Sequence, residues 1–192
     1  MDWRRGLGVA LCGAAVLGCA GPDAPAPSGP PARLSNEGGA LYATSGGGKF
    51  LATLATGAVL EGKFAFTARQ YADGSAGGEF HQYRPDLDML MWGEVTCLTV
   101  DPVERRAWVG GVITKVQSDN PAVLADPVLQ PGRDVWFRVV DYGEGADAPP
   151  DRTTVFGFEG VIPSSAEYCR TQPWPAGDAR TWPVTSGNIQ VR

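Results

Sequence analysis

The chain has 192 residues, of which 43% are hydrophobic and 19% charged, and a formal net charge of −5 at pH 7. Such a length supports one compact domain with its own core, and a mildly acidic balance without a basic stripe argues against nucleic acid as a partner. A single histidine, His81, and four cysteines narrow the catalytic and metal-binding schemes further.

The first nineteen residues read as a bacterial lipoprotein leader. Met1-Asp2-Trp3-Arg4-Arg5 gives a positive start, residues 6–18 form an uncharged apolar stretch, and Val16-Leu17-Gly18-Cys19 makes an acceptable lipobox. The stretch is short of the roughly 18 to 20 residues needed to cross a bilayer as a helix, so it fits the apolar region of a signal peptide. Cleavage after Gly18 would leave Cys19 as a lipid-bearing N-terminus and take the net charge from −5 to −6. An ordinary leader, cleaved or not, is the alternative, and the Arg4-Arg5 pair lacks the surroundings of a twin-arginine signal. The protein is therefore expected outside the cytosol, held to a membrane through Cys19.

Cysteine arithmetic follows. Cys12 goes with the leader and Cys19 takes lipid, which leaves Cys97 and Cys169 to form one disulfide in an oxidising compartment. A reactive or metal-binding thiol pair is the competing reading, but neither residue belongs to a C-x-x-C or Cys/His cluster.

Residues 19–47, with Pro22, Pro25, Pro27, Pro30 and Pro31, are rich in Gly, Pro, Ala and Ser. They have too little bulky apolar surface to offset ordering entropy and read as a tether with a span of about 30 Å. Residues 48–192 form the expected domain. Residues 50–54 are a weak strand candidate. Residues 63–69 place Phe64, Phe66 and Ala68 on one face and Lys63, Thr67 and Arg69 on the other, the period of a half-buried strand. Asp73-Gly74 signals a hairpin turn into a return strand over 78–84. A strand over 90–100 is broken by Asp101-Pro102. Residues 106–116 are apolar on both faces, as a strand covered from two sides would be, and Gly110-Gly111 marks a bulge or a close backbone approach. Asn120-Pro121 caps a short helical turn that Pro127 ends. Strands are expected over 133–142, 153–158 and 188–191, and Ser164 with Glu167 forms a capping box for a helix that carries Cys169. The fold class is all-β: seven or eight antiparallel strands around one core, as a sandwich or a barrel.

Several patterns carry candidate chemistry. Gly57 to Lys63 satisfies G-x-x-x-x-G-K, but Phe64 replaces the Ser or Thr and a strand follows where a helix N-terminus should cradle phosphate. His81 shares a strand face with Glu79 and Tyr83; a solvated imidazole is the plain reading, and a general base paired with Glu79 the functional one. The run 141–152 holds Asp141, Glu144, Asp147 and Asp151 among glycines that can turn carbonyl oxygens inward, which suits calcium without matching an EF-hand; solvated turns commonly have this composition too. Trp92, Trp108 and Trp136 lie in expected strands and read as packing. Trp174 and Trp182 sit in a proline-stiffened segment where they either plug the β structure or stack on a sugar ring or an apolar ligand. Glu79, Asp86, Asp88 and Glu94 are available as a glycosidase pair, which needs a defined separation across a cleft.

The series 95–101, 106–113 and 135–145, within a match spanning roughly residues 62–192, resembles a group of uncharacterised secreted or lipid-anchored bacterial proteins. The resemblance implies a β-rich extracytoplasmic domain and brings no activity or site residue. The sequence is compatible with three functions: a non-enzymatic binding or envelope-associated module whose partner is an envelope polymer or a protein; a barrel carrier of a small apolar ligand lined by Phe64, Phe66, Trp108 and Phe137; and a small envelope hydrolase using His81 and Glu79.

Overall fold

A computed structural model of the protein describes residues 39–145, 147–160 and 162–192. The expected leader, Cys19 and the tether as far as residue 38 lie outside the described residues. The strands are β1 (Tyr42–Thr53), β2 (Val59–Gln70), β3 (Ala76–Arg84), β4 (Met89–Asp101), β5 (Arg106–Ser118), β6 (Asp134–Val140), β7 (Arg152–Thr153), β8 (Gly157–Phe158) and β9 (Trp182–Val191). Helices α1 (Pro121–Ala125) and α2 (Ser165–Thr171) fall between β5 and β6 and between β8 and β9. Strands β1 to β6 pair antiparallel in sequence order. β7 bridges β6 to β9, and β9 returns to β1, so the sheet closes into a ring.

The expected all-β fold is therefore present, with nine strands among the described residues because the segment 153–158 splits into β7 and β8. The split has a local cause. The Thr154 N–H donates to the Arg138 carbonyl and its Oγ1 accepts the Arg138 N–H, both at 3.0 Å, while Phe156 turns into the core. The tether boundary also needs correction, because residues 42–47 belong to β1. Their glycines are not linker residues. A Cβ on Gly48 would lie 2.1 Å from the Ser186 carbonyl oxygen of β9, so close neighbours on the sheet require glycine there. β9 likewise reaches well upstream of the expected 188–191.

Phenylalanines fill the interior. The ring of Phe137 stacks on Phe156 at 4.5 Å and meets Phe66 edge-on at 5.1 Å; Phe80, Phe64 and Phe50 continue the chain of contacts. Each such burial contributes about 1.5–3 kcal/mol. Trp108 does not share this interior, contrary to the carrier lining expected from sequence. It points to the opposite side of the wall, where it packs with Trp136 and Tyr168.

That second cluster explains why β5 is apolar, and β6 buried, on both faces. Ala107, Val109 and Ile113 face the barrel core, while α2 and the chain after it cover the outside. The Cys97–Cys169 disulfide fastens α2 to β4. Asp134 Oδ1 accepts the Ser165 N–H at 2.8 Å, and Thr99 Oγ1 donates to the Cys169 carbonyl at 3.0 Å. A Cβ on Gly110 would stand 2.6 Å from Cys97 Sγ and 2.8 Å from Ser165 Cβ, which is the close approach the Gly110-Gly111 pair suggested; the register shift lies opposite, between Val95 and Cys97. Asn120 caps α1 by accepting the Ala122 N–H at 3.0 Å. Ser164 caps α2, but Glu167 does not complete the box and instead holds Arg170.

Candidate functional site

The ring is uneven at one end. β1 pairs with β9 only from Thr44 to Phe50 and then runs on to Thr53, while β9 begins at Trp182 and β8 pairs with β6 alone. Among the described residues, no strand fills the wall between the end of β1 and β8. A cleft of about 450 Å³ opens there, floored by Val155 and Gly157 and bordered by Leu54 and Ala55 of the β1–β2 turn. Trp136 of β6, Tyr168 of α2, and Trp174, Arg180 and Trp182 complete its lining with Thr154.

The aromatic rings are set by packing. Trp136 stacks on Tyr168 with centroids 5.7 Å apart and planes inclined by 23°. Gly157 permits the approach of this indole, since a Cβ there would fall 2.5 Å from Trp136 Nε1. The Arg180 guanidinium lies 4.3 Å from the centroid of the Trp174 ring. Burial pushes the Tyr168 hydroxyl pKa well up, against a smaller lowering by Arg138, so the phenol keeps its proton.

Residues 172–181 bring Trp174 and Arg180 to this lining along an irregular path. Gln172, Trp174 and Arg180 have φ of 47°, 53° and 54°, the left-handed region that costs non-glycine residues about 1–2 kcal/mol each. Three side chains of the barrel hold that path. Trp108 Nε1 donates to the Pro173 carbonyl at 3.0 Å. Arg138, only 1% exposed, donates from Nη1 to Ala176 at 3.1 Å and from Nη2 to Ala179 at 2.5 Å. Arg152 donates from Nε to Thr181 Oγ1 at 2.8 Å and from Nη2 to the Thr181 carbonyl at 2.6 Å. Among the described residues Arg138 forms no ion pair, although Asp178 acts on it electrostatically, and its Nε is buried with no acceptor. Burial lowers its pKa, partly offset by the proximity of Tyr168.

Thus Trp174 and Trp182, the two indoles singled out from sequence, line one cleft. Trp136, Tyr168 and Arg180 were missed as their companions. The available signal was the outward register of Trp136 on β6, opposite the inward Val135, Phe137 and Val139.

The acidic run behaves differently. Asp141 and Asp151 are buried and accept backbone N–H groups: Asp141 from Gly143 and Val191 at 2.8 and 2.9 Å, Asp151 from Tyr142 and Ile189 at 2.9 and 2.7 Å. Asp141 also pairs with Arg105 at 2.6 Å, Glu144 accepts from Asn188 and Gln190, and Asp147 is exposed. Among the described residues, no three His, Cys, Asp or Glu come together as a cation site would need. The four carboxylates expected to share calcium are thus not gathered around a point, because protein N–H donors occupy the oxygens of the two buried ones.

His81 and Glu79 are exposed on the outer face of β3, and no hydrogen bond joins them among the described residues. Glu94 is paired across the sheet with Glu79, Asp86 is chelated by Arg84 at 2.9 and 2.7 Å, and Asp88 accepts the Asp119 N–H. Arg84 holds the Asp86 carboxyl below its usual range. Lys63 of the G-x-x-x-x-G-K pattern lies on β2, 5.5 Å over the Tyr83 ring. Trp92 carries Lys115 at 4.7 Å on the barrel's outer face. Compared with protein-family models, curated proteins and solved structures, the chain matches none of them, so the cleft stands on its own chemistry.

Proposed function

We propose that this protein is a non-enzymatic binding module, presented outside the cytosol by a lipid on Cys19, whose aromatic cleft holds a small ligand with a flat apolar body. The observation that carries this reading is the convergence of Trp136, Tyr168, Trp174 and Trp182 on one opening of about 450 Å³, within the ordinary size range of ligand pockets. The lining offers few polar residues, chiefly Thr154, Tyr168 and Arg180. A sugar would bring many hydroxyls that such a wall leaves without partners, which favours an apolar ring. The packed phenylalanine interior favours the cleft over the barrel lumen as the place of binding. The separation of His81 and Glu79 from it speaks against the hydrolase.

N-Phenyl-1-naphthylamine, a neutral two-ring probe that fluoresces in apolar surroundings, tests the reading. Saturable binding to the wild-type domain is expected, with affinity at least tenfold weaker in Trp174→Ala/Trp182→Ala of unchanged circular dichroism. Unsaturable binding, or equal affinity in the variant, would sink it. For the anchor, Cys19→Ser should move the protein from the membrane fraction to the soluble fraction of the cells that make it.

A further inference from the structure

Resting on the cleft as the binding site, we infer that its ligand carries an acidic group beside the apolar body, and that Arg180 receives that group.

Among the described residues, Arg180 is the only charged side chain in the lining. It is exposed, and among the described residues it has no carboxylate or hydrogen-bond partner; its one contact is the Trp174 ring. Elsewhere in the molecule, Arg84, Arg105, Arg106, Arg133 and Arg170 each meet a carboxylate. Contact with an aromatic ring takes up no hydrogen-bond acceptor, so the five N–H donors of the guanidinium remain unmet by the chain. These donors form a planar fork that matches the two oxygens of a carboxylate, sulfonate or phosphate.

The position of Arg180 is imposed, not incidental. Its φ of 54° sits in the left-handed region, and the segment leading to it is held by the Arg138 bonds to Ala176 and Ala179 and the Arg152 bonds to Thr181. Arg138, buried behind the same segment, is a further positive charge, partly countered by Asp178 of that segment. In a chain of net charge −5, a cation is the one charged side chain among the described residues that line this apolar cleft. Low-dielectric walls strengthen the attraction for an anion seated there. A neutral ring would leave the fork unused, and a cationic one would be repelled.

Two probes that share the same pair of rings make the test: N-phenyl-1-naphthylamine, which is neutral, and 8-anilinonaphthalene-1-sulfonate, which adds one anionic group. Wild-type protein should bind the sulfonate at least tenfold more tightly than the neutral probe. That ratio should fall to near one in Arg180→Met, which keeps an unbranched side chain over Trp174, and should shrink with added sodium chloride. Equal wild-type affinities, or a preference that persists in Arg180→Met, would overturn the inference while leaving the cleft as a site for neutral rings. If neither probe saturates, the binding reading and the acid preference fall together.

Discussion

Asp151 Oδ2 accepts the Ile189 N–H at 2.7 Å, so a side chain stands where a neighbouring strand would otherwise pair. β7 reaches only Pro183 and Trp182 of β9, and beyond them the edge of β9 has no strand beside it among the described residues. Asp141 Oδ2 repeats the substitution two residues further on, at Val191. Alternate N–H groups of a strand point to the same edge, and the two carboxylates follow that spacing. Buried backbone donors are costly when left unmet, which accounts for two acids lying almost wholly inside an otherwise solvated loop.

Removal of that acceptor has a definite pH signature. Burial, the largest influence, raises the Asp151 carboxyl pKa above the usual carboxylate value of 3.8; the Ile189 and Tyr142 N–H donors and Arg105 oppose it, and Asp141 adds to it. Because the folded state binds this proton more tightly, its contribution to stability is fully present below the unfolded value and is lost as pH rises through the folded one. Asp151→Ala leaves two N–H groups without an acceptor and should cost about 1–3 kcal/mol or more at neutral pH. Denaturation curves between pH 4 and 7 should show the wild type gaining on the variant as pH falls; a gap that narrows on acidification contradicts the assignment.

The Cys97–Cys169 bond closes a separation of 72 residues. Cys97→Ser/Cys169→Ser should lower stability by about 4 kcal/mol through the freed unfolded chain. Since α2 carries both Cys169 and Tyr168, its amides should also exchange with solvent faster than those of β5. Uniform acceleration across both elements would mean that the bond does not act on α2 locally.

Gly157→Ala tests whether the cleft depends on the seat of Trp136. The new methyl would meet the indole at 2.5 Å, and that ring cannot swing away without giving up its stacking on Tyr168. Affinity for the neutral naphthylamine should fall at least fivefold, with a stability loss of about 1–3 kcal/mol from overpacking. Retained affinity in a folded variant would show that Trp136 is only part of the wall.

Arg138→Lys keeps the charge and removes the fork that spans Ala176 and Ala179. A single ammonium cannot reproduce that geometry, so the segment from 172 to 181 should loosen. Limited proteolysis there should quicken markedly, with about 1.5–3 kcal/mol of stability lost. Unchanged proteolysis would place the constraint on Trp108 and Arg152 instead.

Much of the barrel was legible in the sequence because strand patterning is local. Phe64, Phe66 and Ala68 declare the inner face of β2 at a period of two, Val135, Phe137 and Val139 declare that of β6, and Asn120 and Ser164 announce their helices through the atoms they offer to N–H groups two or three residues on. The count of thiols left Cys97 and Cys169 as partners without any geometry. Ring closure, the place of β1 and the use of the acids depended on contacts far apart in the chain. Gly46-Gly47-Gly48 looks like a linker until β2 and β9 press on both sides of it. Trp136, Trp174 and Trp182 become one site only because β8 stops short of β9 and the segment after α2 folds back over β6. Side-chain periodicity follows from backbone geometry over a few residues; convergence follows from register and closure, which only the assembled sheet decides.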